Sequence, residues 1–267
     1  MKVFISSDIE GSCGINSKDE THHEHPDVQY FMKQMTREIA AACDGATAAG
    51  AEDILIKDGH GTGRNILLDD LPENVRLLRG WSGHPYHMMS GLELEPFDAI
   101  MYTGYHSAAG SGKSPLSHTK NGKNDHMELN GERLSEFRMN TYTAAMLGIP
   151  VCLITGDRGI CEEAKRLIPD IHTVITQECE GGATISKHPK KVVEEIRKEA
   201  ELAISSGDYK KCIVKLPEEF DFVIRYVDHT LAYQKSFYPG CTLEDDKNVR
   251  LRTKNYMDIL TFLEFAF

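Results

Sequence analysis

The 267-residue sequence lacks any apolar run near the roughly 20 residues that a membrane-spanning helix needs. Its longest apolar stretches, around Val151 and Ile100, span only a few residues, so no membrane partner is expected. It lacks a secretory leader as well: a single Lys2 and the short run Val3 to Ile5 meet Asp8 and Glu10 at once, which points to the cytoplasm. There is no Cys-x-x-Cys pair. The seven cysteines (Cys13, Cys43, Cys152, Cys161, Cys179, Cys212 and Cys241) are odd in number and scattered, which speaks against a disulfide framework and against zinc fingers. Basic excess is missing too. A net charge of −11 disfavours nucleic acid as a partner and suits a substrate with a cationic group such as a free amine. Gly59 and Gly61 have neither the third glycine nor the acidic partner of a dinucleotide site. Ser111 and Ser114 sit in no Gly-x-Ser-x-Gly elbow, which disfavours a serine hydrolase. Repeats and low-complexity segments are absent.

What remains is a chain of ordinary globular composition, alternating short β-like runs with helical stretches. Strands are expected at Lys2 to Ser7, Asp53 to Lys57, Val75 to Leu78, Ala99 to Thr103 and Val151 to Thr155. Helices are expected from Gln29 to Ala49, Glu136 to Leu147, Gly159 to Leu167 and Pro189 to Ser205. The pattern is α/β: a mostly parallel sheet flanked by helices over residues 1–210. A smaller α+β part over 211–267 follows, with strands at Phe222 to Val227 and Val249 to Arg252 and an apolar helix from Tyr256 to Phe265.

Three expected strands each end in a metal-binding residue type. Asp8 and Glu10 follow the first, His60 in Asp58-Gly59-His60-Gly61 follows the second, and His106 in Gly104-Tyr105-His106 follows the strand near residue 100. Ligands of open α/β sheets bind beyond the carboxyl ends of the strands, so these residues should converge. Asp8 and Glu10, two apart in extended chain, would project from one face, and Gly11 would let the backbone turn. Glu136 opens the next helix and could point into the same crevice, while His118 stands in a loop after the Gly110 to Lys113 stretch. Each motif alone is weak: a strand-end Asp or His is usually a hydrogen-bonding residue, and a glutamate at a helix start favours the dipole without any metal. Together they form an oxygen/nitrogen donor set suited to zinc, manganese or cobalt, and a shared carboxylate suits paired ions about 3.5–4 Å apart. His22-His23-Glu24-His25 reads as a surface loop, Gly181-Gly182 as a turn, Cys13 as a packing residue, and Lys190-Lys191 with Arg197-Lys198 as a solvated helix face.

The opening Ser6-Ser7-Asp8-Ile9-Glu10-Gly11 resembles that of the DppA-like D-aminopeptidases, metallopeptidases of bacterial dipeptide operons. The resemblance continues through Asp58-Gly59-His60 with Asn65, Gly104-Tyr105-His106, Ser117-His118, the segment from Glu136 to Asn140, and Gly156-Asp157, covering roughly residues 1–185. It implies a dinuclear zinc site in which Asp8 bridges the ions, Glu10 and His60 complete one, and His106 and Glu136 the other. His118 takes the catalytic role, as nucleophile by resemblance; on chemistry alone it reads as a general base, acid or oxyanion stabiliser. The resemblance further implies release of the N-terminal residue from short peptides with a free N-terminus, D-alanine dipeptides among them, by homodecamers whose active sites open on a central channel. The sequence departs from the family at the polar stretch Lys120 to Asp125, in the His22 to His25 loop, and at Arg158. Two other readings use the same ligands: a di-metal amidase or deacetylase acting on another small amide, and a non-catalytic metal-binding assembly protein.

Overall fold

The computed structural model describes residues 1–267. Its strands, in chain order, are Lys2–Ser7 (β1), Asp53–Asp58 (β2), Val75–Leu78 (β3), Ala99–Tyr105 (β4), Asn124–Leu129 (β5), Glu132–Arg133 (β6), Val151–Asp157 (β7), His172–Glu180 (β8), Ala183–Ser186 (β9), Phe220–Tyr226 (β10), Cys241–Leu243 (β11) and Asn248–Thr253 (β12). The α-helices are Val28–Ala48 (α1), Glu136–Met146 (α2), Arg158–Leu167 (α3), Pro189–Ser205 (α4), His229–Lys235 (α5) and Tyr256–Phe265 (α6).

Strands β1, β2, β4 and β7 are near-continuous apolar runs with almost no exposed position, as expected of strands covered on both faces. They form the centre of a seven-stranded sheet of order β3-β2-β1-β4-β7-β8-β9, parallel except for β9. One face packs Val3, Ile5, Ile54 and Met101 against α1 and α4. The other packs Phe4, Leu55, Tyr102 and Ile154 against α2 and α3. From β1 the chain builds outward through β2 and β3; it then returns to β4 and builds the other way. The order therefore reverses between β1 and β4, the place where open α/β sheets leave a crevice at their carboxyl edge.

The register brings the strand ends level there. Ser7 lies opposite both Asp58 and Thr103. Beyond the last pair, Asp8 N–H donates to the Thr103 carbonyl (2.8 Å), Gly59 N–H to Ser7 (2.8 Å) and Gly11 N–H to Gly104 (2.8 Å). Two glycines permit this closeness. A Cβ on Gly11 would stand 1.8 Å from the Tyr105 carbonyl oxygen, and Gly104 adopts a φ of +68° where a Cβ would stand 2.2 Å from the Asp8 oxygen.

A second, antiparallel sheet has the order β11-β12-β10-β5-β6 and packs on α6 around Phe222, Ile224 and Phe262. Residues 211–267 supply three of its strands, while β5 and β6 come from within 1–210. The expected division into 1–210 and 211–267 is thus crossed by a hydrogen-bonded sheet. The Tyr256 hydroxyl, donating to the Met139 carbonyl on α2 (2.9 Å), ties the two sheets together. Gly181-Gly182 is the turn of the β8–β9 hairpin.

Candidate metal centre

Six side chains predicted from sequence meet at this crevice. Asp8 and Glu10 arrive by a bend, not by strand alternation: β1 ends at Ser7, and a turn closed by Ser12 N–H on the Ile9 carbonyl swings Glu10 back beside Asp8. The Asp8 carboxylate then faces both ways, with Oδ1 3.3 Å from His60 Nδ1 and Oδ2 3.4 Å from His106 Nε2. Glu10 Oε2 lies 2.9 Å from His60 Nδ1. Glu136 is the first residue of α2, whose start is fixed by Ser135 Oγ accepting from Arg138 N–H, and its Oε2 lies 3.6 Å from His106 Nε2. His118 completes the ring with Nε2 3.9 Å from both Glu10 Oε1 and Glu136 Oε1, its imidazole stacked on that of His106 at 4.3 Å. The donor atoms fall into three overlapping triads: Asp8–Glu10–His60, Asp8–His106–Glu136 and Glu10–His106–His118.

Each imidazole is oriented from behind. His60 Nε2 donates to the Thr21 carbonyl (2.9 Å), His106 Nδ1 to Ser107 (3.0 Å) and His118 Nδ1 to Leu116 (2.8 Å). The second nitrogen of every ring thereby faces inward toward the carboxylates, the orientation that metal-ligating histidines use. Asp58 holds the His60 loop, accepting from Asn65 N–H (2.6 Å), Asn65 Nδ2 (2.9 Å) and Ile66 N–H (3.1 Å). Asp157 does the same for His106: it accepts from Ser107 N–H and Ser107 Oγ, both at 2.6 Å, while capping α3 through Ile160 N–H. The Lys120 amide donates to Glu136 Oε1 (2.6 Å).

Asp8, Glu10 and Glu136 are at most 5% exposed, and no lysine or arginine pairs with any of them. Burial pushes the Glu10 and Glu136 carboxyls up, but the adjacent imidazoles, His60 for the first and His106 for the second, hold both below the usual range. Burial likewise disfavours charge on His60 and His106, yet the surrounding carboxylates hold both rings well above their ordinary value. The cluster thus calls for positive charge at its centre. Two buried atoms facing that centre, Glu10 Oε2 and His106 Nε2, touch only other members of the cluster, and none of these contacts has the alignment of a formed hydrogen bond. A carboxylate oxygen and a ring nitrogen turned toward one another in this way fit ligand atoms that a cation would complete.

The cluster forms the floor of an open cavity of about 620 Å³, within the roughly 300–1,000 Å³ of small-ligand sites. Lys18 and His22 stand at one side of it, Asn124, Asp125 and Val227 at the other, so the second sheet supplies part of the wall. The His22 to His25 segment is otherwise an exposed loop, with His23 hydrogen-bonded to Asn65. Cys13 is buried packing, its thiol pushed up to about 12 by burial. Lys190, Lys191, Arg197 and Lys198 are exposed on α4, and Arg158 pairs with Glu178 on the surface. Sequence reasoning missed Thr21 and Leu116, which act through backbone carbonyls that no motif reveals. It named Lys120 only as the start of the polar stretch that departs from the family, without placing it at the site.

A model of the D-aminopeptidase family matches residues 1–265. A curated D-aminopeptidase of Bacillus subtilis (strain 168) is 25% identical over 274 residues, covering 100% of this chain and 98% of that protein. The solved structure of the Zn-dependent D-aminopeptidase DppA from Bacillus subtilis, described as a self-compartmentalizing protease, has a TM-score of 0.92 and 22% identity, covering 100% of this chain and 96% of that one. That structural likeness establishes the α/β fold read from the sequence. With the family model spanning nearly its whole length, the chain belongs to the D-aminopeptidase family and is an aminopeptidase, a hydrolase of peptide bonds.

Proposed function

We propose that this chain releases the N-terminal residue, a D-amino acid such as D-alanine, from short peptides with two divalent cations held by Asp8, Glu10, His60, His106 and Glu136. The observation that carries the reading is the Asp8 carboxylate, each of whose oxygens faces a different imidazole at 3.3–3.4 Å, with Glu10 beside one ring and Glu136 beside the other. Asp8 would be shared by the two ions, with Glu10 and His60 holding one and His106 and Glu136 the other. The donor set suits zinc, with manganese or cobalt as alternatives. A cation pair in such a site supplies Lewis acidity to a scissile carbonyl and lowers the pKa of a bound water.

The chain's own residues do the remainder. His118 reaches in from the half-buried rim with Nε2 toward the carboxylates and Nδ1 locked on Leu116, which suits it to move a proton or to steady the developing oxyanion. The acids lining the cavity, Asp8, Glu10, Asp125 and Glu136, outnumber its lysines, Lys18 and Lys120, which suits a free α-amine and action at an N-terminus. The open cavity admits a short peptide, and the packed strands beneath it close the cluster from below. We further propose a cytoplasmic enzyme that works as a homo-oligomer, a homodecamer by resemblance; the relative described as self-compartmentalizing supports assembly.

The test is protein reconstituted with zinc or manganese, assayed for metal content by elemental analysis. D-Ala-D-Ala, L-Ala-L-Ala, a longer peptide and a set of acylated amines serve as substrates. Two ions per chain with turnover of D-peptides is the expected result. Turnover of the acylated amines alone would place the chemistry with amidases or deacetylases, and full loading without any hydrolysis would leave a binding protein.

A further inference from the structure

A second cavity of about 260 Å³ opens beside the first, and Gly59, Gly61, Lys120 and Glu136 line both. Its far wall is built from Trp81, His87, Met88 and Met139, with Glu264 of α6 at its edge. The Trp81 indole N–H donates to the Gly61 carbonyl (2.8 Å), which fixes that wall to the His60 loop. The side cavity therefore branches from the reacting centre over a rigid rim.

Three features mark it as a recognition site. Only three residues other than glycine adopt left-handed backbone: His87 (φ 51°), Lys120 (φ 64°) and Asn130 (φ 53°). Asn130 belongs to a hairpin turn; the other two line this cavity. Strained backbone of this kind collects where side chains are aimed at ligands. Second, the Lys120 amide is tied to Glu136 Oε1, yet its ammonium forms no ion pair and no hydrogen bond. Glu136 belongs to the metal cluster, and Glu264, partly exposed, lies 3.2 Å from the Nδ1 of a His87 ring that burial holds neutral, pushed down to about 3; both acids face Lys120 but neither comes within ion-pair distance of its ammonium. Third, His87 is only 8% exposed, and its Nε2 is buried without a partner. A desolvated cation without a counter-ion is costly, and its complement is an anion.

We propose that Lys120 is a specificity-determining residue that receives a carboxylate of the substrate in this side cavity. The inference rests on the aminopeptidase reading of the adjoining cluster. Two sources share the chemistry: the side chain of an acidic N-terminal residue, and the terminal carboxylate of a dipeptide. Either would sit one residue's reach from the reacting centre, with its charge on the ammonium and its stem against Met88 and Met139.

The experiment compares metal-loaded parent, Lys120→Met and Lys120→Arg on two matched pairs. D-Glu-D-Ala-amide against D-Gln-D-Ala-amide reads the side-chain source; D-Ala-D-Ala against its amide reads the terminal one. In one pair the parent should prefer the acid, and Lys120→Met should cut the acid-to-amide ratio of kcat/KM at least about tenfold, through KM, the size expected for a charge-assisted hydrogen bond. Lys120→Arg should restore most of the ratio, which a merely structural role would not do. Calorimetric binding of D-glutamate against D-glutamine to the same proteins, and of D-Ala-D-Ala against its amide with His118→Ala added to each, reads the preference without turnover. A failure of the aminopeptidase reading therefore stays distinct from a failure of this one. Equal acid and amide affinities in the parent, or a ratio that Lys120→Met leaves unchanged, would overturn the proposal.

Discussion

The two ends of the parallel sheet both carry clusters of charge, and they solve the problem of holding it in opposite ways. At the amino edge, Asp53, Arg76, Glu95 and Lys2 form an ion-pair network: Arg76 bonds both Asp53 oxygens (2.9 and 2.8 Å) and Glu95 (2.6 Å), and Lys2 pairs with Glu95. Every acid there has a fixed cationic partner, and water reaches them all. At the carboxyl edge the acids are buried and their only counter-charges are imidazoles. Exposed pairs need nothing further. Buried carboxylates without a lysine or arginine need cations from outside. The difference supports the metal centre proposed at the carboxyl edge beyond what residue types alone do.

The strongest way to break the comparison is to remove the shared ligand. Asp8→Ala should lose both ions by elemental analysis and bring turnover down further than the about 10–100-fold that outer-shell partners cost. Full metal content and activity in that variant would end the dinuclear reading. Glu10→Ala removes a ligand from one position only, so it should retain the other ion with a small fraction of activity. His118→Ala separates chemistry from metal holding: both ions should stay while kcat falls by about 10²–10⁴-fold.

Glu38 offers an internal control of intermediate size. It is buried on α1, accepts from Cys13 N–H (2.9 Å) and Gln34 Nε2 (2.8 Å), and has neither a cation nor converging histidines. Burial pushes its carboxyl up to about 7 from 4.5. A carboxyl raised by folding binds more protons in the native state than in the unfolded one. The stability it supports is therefore complete at acid pH and falls as pH rises from about 4.5 through about 7. Relative to Glu38→Gln, the parent should lose roughly 3 kcal/mol between pH 4 and pH 8, read from denaturant midpoints. A flat difference would show that a lone buried carboxylate is tolerated ionised here, and the contrast with the metal cluster would weaken.

How far the site was legible follows the same physics. Strands β1, β2 and β4 could be read because both faces are covered, leaving apolar runs that stop abruptly at Asp8, at the Asp58–His60 loop and at His106. Their convergence followed from the rule about carboxyl edges. The β5–β6 hairpin was not read: Asn124 to Leu129 alternates polar and apolar residues with charges outward, and the Asn130-Gly131 turn that marks it was overlooked. That omission hid the outer wall of the cavity and the strands that the second sheet draws from the first 210 residues. Carbonyl partners such as Thr21 were beyond reach, since any residue offers the same oxygen. Asp8 and Glu10 were paired correctly for a reason the structure replaces, a turn instead of an extended strand.

The smallest effect belongs to the amino edge, and it is the one that tests the other half of the contrast. Arg76 is half exposed and holds two acids, so a count of contacts would rank it beside His60. Solvent screening argues otherwise: Arg76→Met should change stability by less than about 1 kcal/mol, with the difference shrinking further in high salt, and should leave metal content and kcat/KM as they are. Methionine keeps an apolar stem of similar length, so the substitution removes the charge and its bonds to Asp53 and Glu95 and little else. A loss of several kcal/mol, insensitive to salt, would mean that this network is as desolvated as the carboxyl edge. The absence of lysine and arginine around Asp8 would then no longer single out the metal centre.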